Sequence, residues 1–534
     1  MVTAANPLAA NTGRDILRAG GSAVDAAIAT QMVLTLVEPQ SSGIGGGAFL
    51  LHYNAEERRV ESYDGRETAP RSARPGMFLS NGKPMKFMAA AAGGTSVGVP
   101  GLLRMLELAH KDHGRLPWAR LFEPAIRLAE NGFVISPRLA RMLKNERTLR
   151  RTPAARGYFY TSNGSDKTAG SLLRNPALAK TLRAIAKGGA DAFYRGAIAS
   201  DIVKTVRKAA NNPSGMSLSD IAAYQAVKRR PLCAPYRQWR VCGMGPPSSG
   251  GLAVLQALSM LDHFDLAGLA PASAEAVHLI GEAGALAFAD RNAYVADTDF
   301  IPVPINGMLD RSYLQSRAIL IDASRSGGKR QPGTPPRRSA FPYAPDNITK
   351  GHSTTHLSIV DAAGNAVSMT SSIETAFGSR LMSGGFILNN QLTDFSFLPT
   401  QNDRPIANRA APGKRPRSSM SPTLVLDKQG RLVLAVGSPG GSRIIGYVIK
   451  TLVATLDWNM SMQAAIDMPN FLNRNGSMEL EKNTSLEKLQ PRLKALGHKL
   501  RLFGRGSGLH GIRITENGLQ GGADRRREGI VLAD

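Results

Sequence analysis

Two threonines open a hydroxyl-rich run, Thr354-Thr355-His356-Leu357-Ser358-Ile359-Val360-Asp361, and a second such run, Ala366 to Ile373, follows after Ala362-Ala363-Gly364-Asn365. A hydroxyl is a weak nucleophile until a base takes its proton. A threonine at a chain N-terminus carries that base as its own α-amine. Upstream, Ser324 to Ser353 is rich in Gly, Pro, Ser and Arg and suits neither helix nor central strand. A loop of this kind entering a strand at Thr354 is compatible with a chain cut between Ser353 and Thr354. It is equally compatible with a polar linker entering an ordinary edge hairpin. Both runs alternate β-branched and polar residues, so they predict a β-hairpin. A two-residue turn at Ala363-Gly364 sets Thr355 opposite Ser372 and Thr354 opposite Ile373, which brings the Ser372 hydroxyl near Thr354.

Other residues suit an ionic substrate. Arg66, in Tyr63-Asp64-Gly65-Arg66-Glu67, sits beside a turn where a guanidinium can grip a carboxylate in two places, or can simply pair with Glu67. Gln391 and Asp394 follow the strand-like Phe386-Ile387-Leu388, and Glu374 lies just past the hairpin. These are acceptors for an ammonium group, or strand-end caps. Gly440 and Gly441 lie between the strand Leu432–Val436 and the helix Ile444–Trp458, where two backbone N–H groups can form an oxyanion site. Gly94-Thr95-Ser96-Val97-Gly98 matches the serine-hydrolase elbow string, but Pro100 and Gly101 stand where the elbow's helix should begin. The run Ser41 to Leu51 is glycine-rich but follows a helix and precedes a strand, the reverse of a dinucleotide loop, so it predicts close packing beneath a sheet.

The elements that must position these groups are strands near 46–65 and 354–436 with helices around them, a layered α/β arrangement. Residues 11–37 predict two helices broken at Gly20-Gly21, and apolar spacing predicts further helices in 102–112, 121–131, 178–187, 272–289 and 486–496. Gly245 to Gly251 lacks the lysine and spacing of a phosphate loop and predicts a structural turn. At 534 residues the chain can bury a large core. Lys plus Arg outnumber Asp plus Glu 66 to 41, a net charge of +25. The basic residues gather at Arg147–Arg156, Lys329–Arg338 and Arg525–Arg527, without interleaved aromatics or a nucleic-acid motif. They predict solvated faces and no nucleic-acid partner. Cys233 and Cys242 flank a short strand-turn-strand and are either a cross-hairpin disulfide or two buried thiols; their spacing fits no metal site. No run is long and apolar enough for a membrane span, and Met1 to Ala5 lacks the pattern of a secretory leader.

Thr-Thr-His-x-Ser, Gly-Asn-x-Val-Ser and Ser-Ile-Glu-x-x-Phe-Gly together resemble the processing-site signature of the γ-glutamyltransferase family, and the similarity runs from Ala5-Asn6-Pro7 to the final hairpins. These are N-terminal-nucleophile hydrolases, each made as one precursor that cleaves itself before a threonine. The resemblance implies an αββα sandwich in which residues 1–353 form a large subunit and 354–534 a small one, together one heterodimeric unit. It implies a transferase and glutathione hydrolase that works through a γ-glutamyl-enzyme ester, with water or an amino acid as acceptor and no metal or cofactor. It assigns Thr354 as nucleophile, Ser372 as its partner, and Gly440 and Gly441 as oxyanion donors. Arg66, Ser418 and Ser419 take the substrate α-carboxylate, and Glu374, Gln391 and Asp394 its ammonium. Many members carry Asn at the place of Glu374 and Thr at that of Ser372. Segment 395–417 looks shorter than the lid of some members. The resemblance also implies a periplasmic or secreted location, while the chain's first residues allow a cytoplasmic protein or a truncated start. A glutaryl acylase of the same fold is the alternative within the family. A serine hydrolase using Ser96 and a basic binding protein are the alternatives outside it.

Overall fold

The computed structural model describes residues 1–336, 342–346, 353–504 and 506–533. Parts of the predicted loop before Thr354, residues 337–341 and 347–352, therefore lie outside the described residues.

Thirteen strands form two stacked sheets. We label them β1 (Val2–Ala4), β2 (Gly47–Asn54), β3 (Arg59–Gly65), β4 (Val227–Arg229), β5 (Leu232–Tyr236), β6 (Trp239–Gly243), β7 (Thr355–Val360), β8 (Ala366–Ser372), β9 (Thr423–Leu426), β10 (Leu432–Gly437), β11 (His510–Thr515), β12 (Gly518–Ala523) and β13 (Ile530–Leu532). The first sheet runs β13-β1-β7-β8-β2-β3-β4 and the second β12-β11-β10-β9-β6-β5. Segments before and after Thr354 both supply strands to each sheet, and β7 is inserted between β1 and β8.

Helices α1 (Pro7–Arg18) and α2 (Ala23–Val37) cover the outer face of the first sheet. Every residue of α2 is buried, as its Ala, Val and Leu on all sides dictate, and a Ser22/Asp25 capping box starts it. Helices α3 (Gly250–Leu261), α4 (Ala274–Tyr294) and α5 (Ile444–Leu456) pack with the second sheet into another core. The result is the helix–sheet–sheet–helix layering that the resemblance implied. The 486–496 segment is a 3-10 turn, Ser485–Leu489, followed by a short helix, Gln490–Ala495.

Alternation along β7 and β8 divides their side chains. Leu357, Ile359, Val367 and Met369 join the core beneath α2. The even-numbered residues face the second sheet: Ser358 Oγ donates to the His510 carbonyl and Ser368 Oγ to that of Val436. Thr354 and Ser372 continue this inward, polar face at the mouth of the gap between the sheets.

The predicted register is wrong by one residue. Thr355 pairs with Ser371 and Val360 with Ala366, so Thr354 lies opposite Ser372 rather than Ile373. Asp361 is the cause. Its carboxylate accepts from the N–H groups of Ala363 and Asn365, its own N–H donates to the Asn365 carbonyl, and Gly364 takes φ 84°. That closes a three-residue loop ending in a left-handed glycine, instead of the two-residue turn.

Cys233 and Cys242 are directly opposed on β5 and β6 and form a disulfide. The glycine run before β2 packs as expected: a Cβ on Gly46 would stand 2.2 Å from the Ser372 carbonyl oxygen, so only glycine lets this segment lie under β8. The Gly245–Gly251 turn is structural. Ser248 and Ser249 hydroxyls donate to the carbonyls of Met420 and Ser418 and hold that segment in place. The Arg525–Arg527 run departs from the solvated face predicted for it. Arg525 is exposed, but Arg526 pairs with Glu481 and Asp524, and Arg527 donates to the Thr354 carbonyl.

Candidate active site

Thr354 is buried and stands just before β7, and Ser372 ends β8 opposite it. The Thr354 hydroxyl donates to the Ser353 carbonyl oxygen at 2.6 Å and lies 3.2 Å from the Ser372 hydroxyl. Ser372 Oγ donates to the same carbonyl at 3.0 Å and accepts from the Glu374 N–H at 2.9 Å. Ser353 is itself fixed, its N–H on the Glu374 carbonyl and its hydroxyl on that of Gln40. Arg527 Nη1 donates to the Thr354 carbonyl at 2.8 Å. A peptide carbonyl thus sits within reach of one hydroxyl and is polarised by another. His356, two residues on, bonds to Thr370 and Ser358 instead, and burial holds its imidazole well below its ordinary pKa. It is not placed to serve as base for Thr354.

One cavity is lined by Thr354, Ser372, Glu374, Gln391, Asp394, Ser418, Ser419 and Gly441, all anticipated from sequence, and by Arg291, Arg417, Met420, Ser442 and Ile444, which were not. Gln391 and Asp394 share the single 3-10 turn Gln391–Asp394, not a continued strand. In that geometry positions i and i+3 eclipse, and Gln391 Nε2 donates to Asp394 at 3.2 Å. Glu374 has a left-handed backbone, φ 79°, unusual for a side chain of its size, and Asn390 Nδ2 donates to its carboxylate at 2.6 Å. Gly440 and Gly441, with φ 138° and 60°, form the turn from β10 into the 3-10 segment Gly441–Arg443 that leads into α5. N–H groups in a first helical turn have no intrahelical acceptor. Gly441 is on the cavity wall and Gly440 is not.

Arg66 is not on the wall either. It is wholly buried, with Nη2 on Asp394 at 2.6 Å and Nε on the Pro416 carbonyl, so in this structure it braces Asp394 from behind. Its neighbour Glu67 is 3.7 Å away, and burial pushes that carboxyl up to about 8 against the pull of Arg66. Positive charge on the cavity wall comes from Arg291 and Arg417, 126 residues apart in the chain. Neither carries a local sequence signal. Arg417 pairs with Asp346 at 3.0 Å.

Ser96 is wholly buried and donates to the carbonyls of Ala91 and Gly93, so it offers no exposed nucleophile. Two groups of ligand-type side chains lie elsewhere, His52–Glu61–His113 and His278–Glu282–His498. In the first, the imidazoles stack with centroids 3.8 Å apart, and His113 Nε2 and His52 Nδ1 lie 2.7 and 3.7 Å from the same Glu61 oxygen. In the second, Glu282 already accepts from Arg330, Ser326 and Gly327.

A gamma-glutamyltranspeptidase family profile matches residues 9–533. The chain belongs to the gamma-glutamyltranspeptidase family. It is 37% identical to the glutathione hydrolase proenzyme of Bacillus subtilis, over 100% of this chain and 91% of the relative. It is 33% identical to the acylase ACY 1 proenzyme of a Pseudomonas species, over 100% of this chain and 93% of the relative. Among solved structures, the cephalosporin acylase from Bacillus halodurans superposes with a TM-score of 0.85 at 28% identity, covering 99% of this chain and 95% of that one. The gamma-glutamyltranspeptidase assignment makes the chain an enzyme of the γ-glutamyltransferase and glutathione hydrolase type. Among the described residues no helix is long and apolar enough to cross a membrane.

Proposed function

We propose that this chain is a self-processing threonine enzyme that cleaves γ-glutamyl amides such as glutathione and passes the γ-glutamyl group to water or to an amino acid. The observation that supports it best is the contact of the Thr354 hydroxyl with the Ser353 carbonyl, shared with Ser372. In the precursor, Thr354 Oγ attacks the Ser353 carbonyl carbon. The C–N bond breaks as an ester forms, and water then hydrolyses the ester. Ser353 becomes the C-terminus of a large subunit, residues 1–353, and Thr354 the N-terminus of a small one, residues 354–534. Strands from both segments share both sheets, which supports a heterodimer that stays assembled after cleavage.

In the processed enzyme the freed α-amine of Thr354 is the base for its own hydroxyl, directly or through water. Thr354 Oγ attacks the γ-glutamyl carbonyl, and Gly440 and Gly441 N–H groups stabilise the oxyanion. The leaving amine departs protonated, and water or an acceptor amine attacks the ester. Ser372 orients Thr354. Glu374, Gln391 and Asp394 take the substrate ammonium. Ser418 and Ser419 take the α-carboxylate, the group for which Arg66 is also proposed, although Arg66 here stands one side chain back. Each step is acyl transfer, so no electron carrier is called for. The Cys233–Cys242 disulfide supports a periplasmic or secreted location.

Intact-mass measurement with N-terminal sequencing tests the reading. Two fragments, the smaller beginning at Thr354, are expected from the wild type and a single uncut chain from Thr354→Ala; normal processing of that variant sinks the assignment. The second reading, a glutaryl acylase, draws on the acylase relatives. Glutaryl amides lack the ammonium, so the two acidic residues on the wall, Glu374 and Asp394, favour γ-glutamyl. Comparing γ-glutamyl and glutaryl anilides decides between them.

A further inference from the structure

Arg291 lies in the last turn of α4, is 4% exposed, and lines the same cavity as Thr354. Its guanidinium is held as a rigid fork: Nε donates to Ser249 Oγ at 2.9 Å, Nη1 to Asn292 Oδ1 at 2.8 Å and Nη2 to Ser419 Oγ at 2.8 Å. All three acceptors are neutral. Among the described residues no carboxylate lies within the 4.0 Å that defines an ion pair with it. Other buried arginines differ in this respect. Arg66 has Asp394, Arg317 has Asp290, Arg380 has Glu146 and Arg417 has Asp346. A buried guanidinium without a counter-ion is costly, and a carboxylate entering the cavity would supply one.

The adjoining hydroxyls point to the same ligand. A guanidinium only donates, so the Ser419 Oγ that meets Arg291 does so as acceptor, and its own hydrogen must go elsewhere. Ser418 Oγ likewise accepts, from the Met420 N–H at 3.1 Å. Neither hydroxyl hydrogen has an acceptor among the described residues. Ser249 completes the arrangement: it accepts from Arg291 Nε and donates to the Ser418 carbonyl at 2.6 Å, which ties the guanidinium to the segment carrying both serines. Two free O–H donors beside an unneutralised cation fit an acceptor-only anion and repel an ammonium.

Resting on the γ-glutamyl reading above, we infer that Arg291 is a specificity-determining residue of this site. It orients Ser419 as a donor and supplies the charge that selects an acyl group ending in a carboxylate.

The test uses the processed enzyme and three anilides: γ-glutamyl, glutaryl (ammonium removed) and 4-aminobutyryl (carboxylate removed). Arg291→Gln should lower kcat/KM for the γ-glutamyl and glutaryl anilides by roughly 10- to 100-fold, the size of one charge-assisted contact. The loss on the 4-aminobutyryl anilide should be far smaller, so that preference for the carboxylate collapses. Arg291→Lys should restore part of that preference. If Arg291→Gln does not fold, read as loss of the cooperative thermal transition, Arg291→Lys carries the test and should show a smaller loss that is still confined to the two carboxylate-bearing anilides. Equal losses on all three anilides mean a structural role and overturn the inference, while wild-type turnover leaves the γ-glutamyl reading intact. A wild type that hydrolyses none of the three overturns both.

Discussion

Ser372→Ala separates the polarising role proposed for the second hydroxyl from the nucleophilic role proposed for the first. In the precursor the Ser353 carbonyl oxygen accepts from two side chains, Thr354 Oγ1 at 2.6 Å and Ser372 Oγ at 3.0 Å. Once Thr354 attacks, its hydroxyl is the bond-forming group and ceases to donate. Ser372 is then the side-chain donor left on the developing oxyanion. Removing one such donor costs about 2.7–4 kcal/mol of transition-state stabilisation, roughly 10²–10³ in rate. The ground state loses less, because the Glu374 N–H is left without the Ser372 oxygen, a penalty of about 1–3 kcal/mol. Ser372→Ala should therefore fold and remain largely uncut, with self-cleavage slowed by roughly 10²-fold or more. Ser372→Thr keeps the hydroxyl and should process at a rate near the wild type. The assay is intact mass against time after purification, with thermal unfolding to confirm folding. Self-cleavage of Ser372→Ala at the wild-type rate would refute the argument.

Asp394→Asn keeps the shape of the side chain but takes the closer carboxylate from buried Arg66, leaving Glu67 at 3.7 Å, so stability should fall, by at most about 3–5 kcal/mol, in a denaturation curve. The same variant should lose more activity on γ-glutamyl than on glutaryl anilide; an unchanged ratio argues against Asp394 at the ammonium. Burial lowers Lys450 from 10.5 to about 7, while its Nζ donates to the Ala465 and Met468 carbonyls. Between those two values the folded chain binds fewer protons than the unfolded one, so stability should rise with pH from about 7 toward 10.5. Urea titrations across that range should give a shallower rise for Lys450→Met, and parallel curves would count against the depressed lysine. Replacing Cys233 and Cys242 together by serine should cost up to about 3 kcal/mol, read as a lower denaturation midpoint under non-reducing conditions.

Much of the site is legible in short stretches of sequence because the chemistry there is local. Hydroxyl-rich runs give the hairpin, and a strand followed by Ser438-Pro439-Gly440-Gly441 and a helix gives the turn proposed as the oxyanion site. The αββα layering was legible through the family resemblance, whose motifs extend over the whole chain. The register was not legible, because it turned on whether Asp361 would fold its carboxylate back onto the turn. The disulfide stayed open for a related reason: Cys233 and Cys242 meet only because β5 and β6 pair them directly.

Residue types within a few positions of one another marked the candidate nucleophile, its hydroxyl partner and the acceptors now seen on the 3-10 turn, since turn chemistry and alternation act over that range, and the family resemblance gave them their proposed roles. The tertiary structure alone decided which cations line the cavity. Arg66 was conspicuous in sequence, yet it is drawn behind Asp394. Arg291 was one arginine on a long helix, and packing brought it to Ser419, 128 residues away. A cation's role depends on where its counter-charge sits, and counter-charges are distributed by the fold.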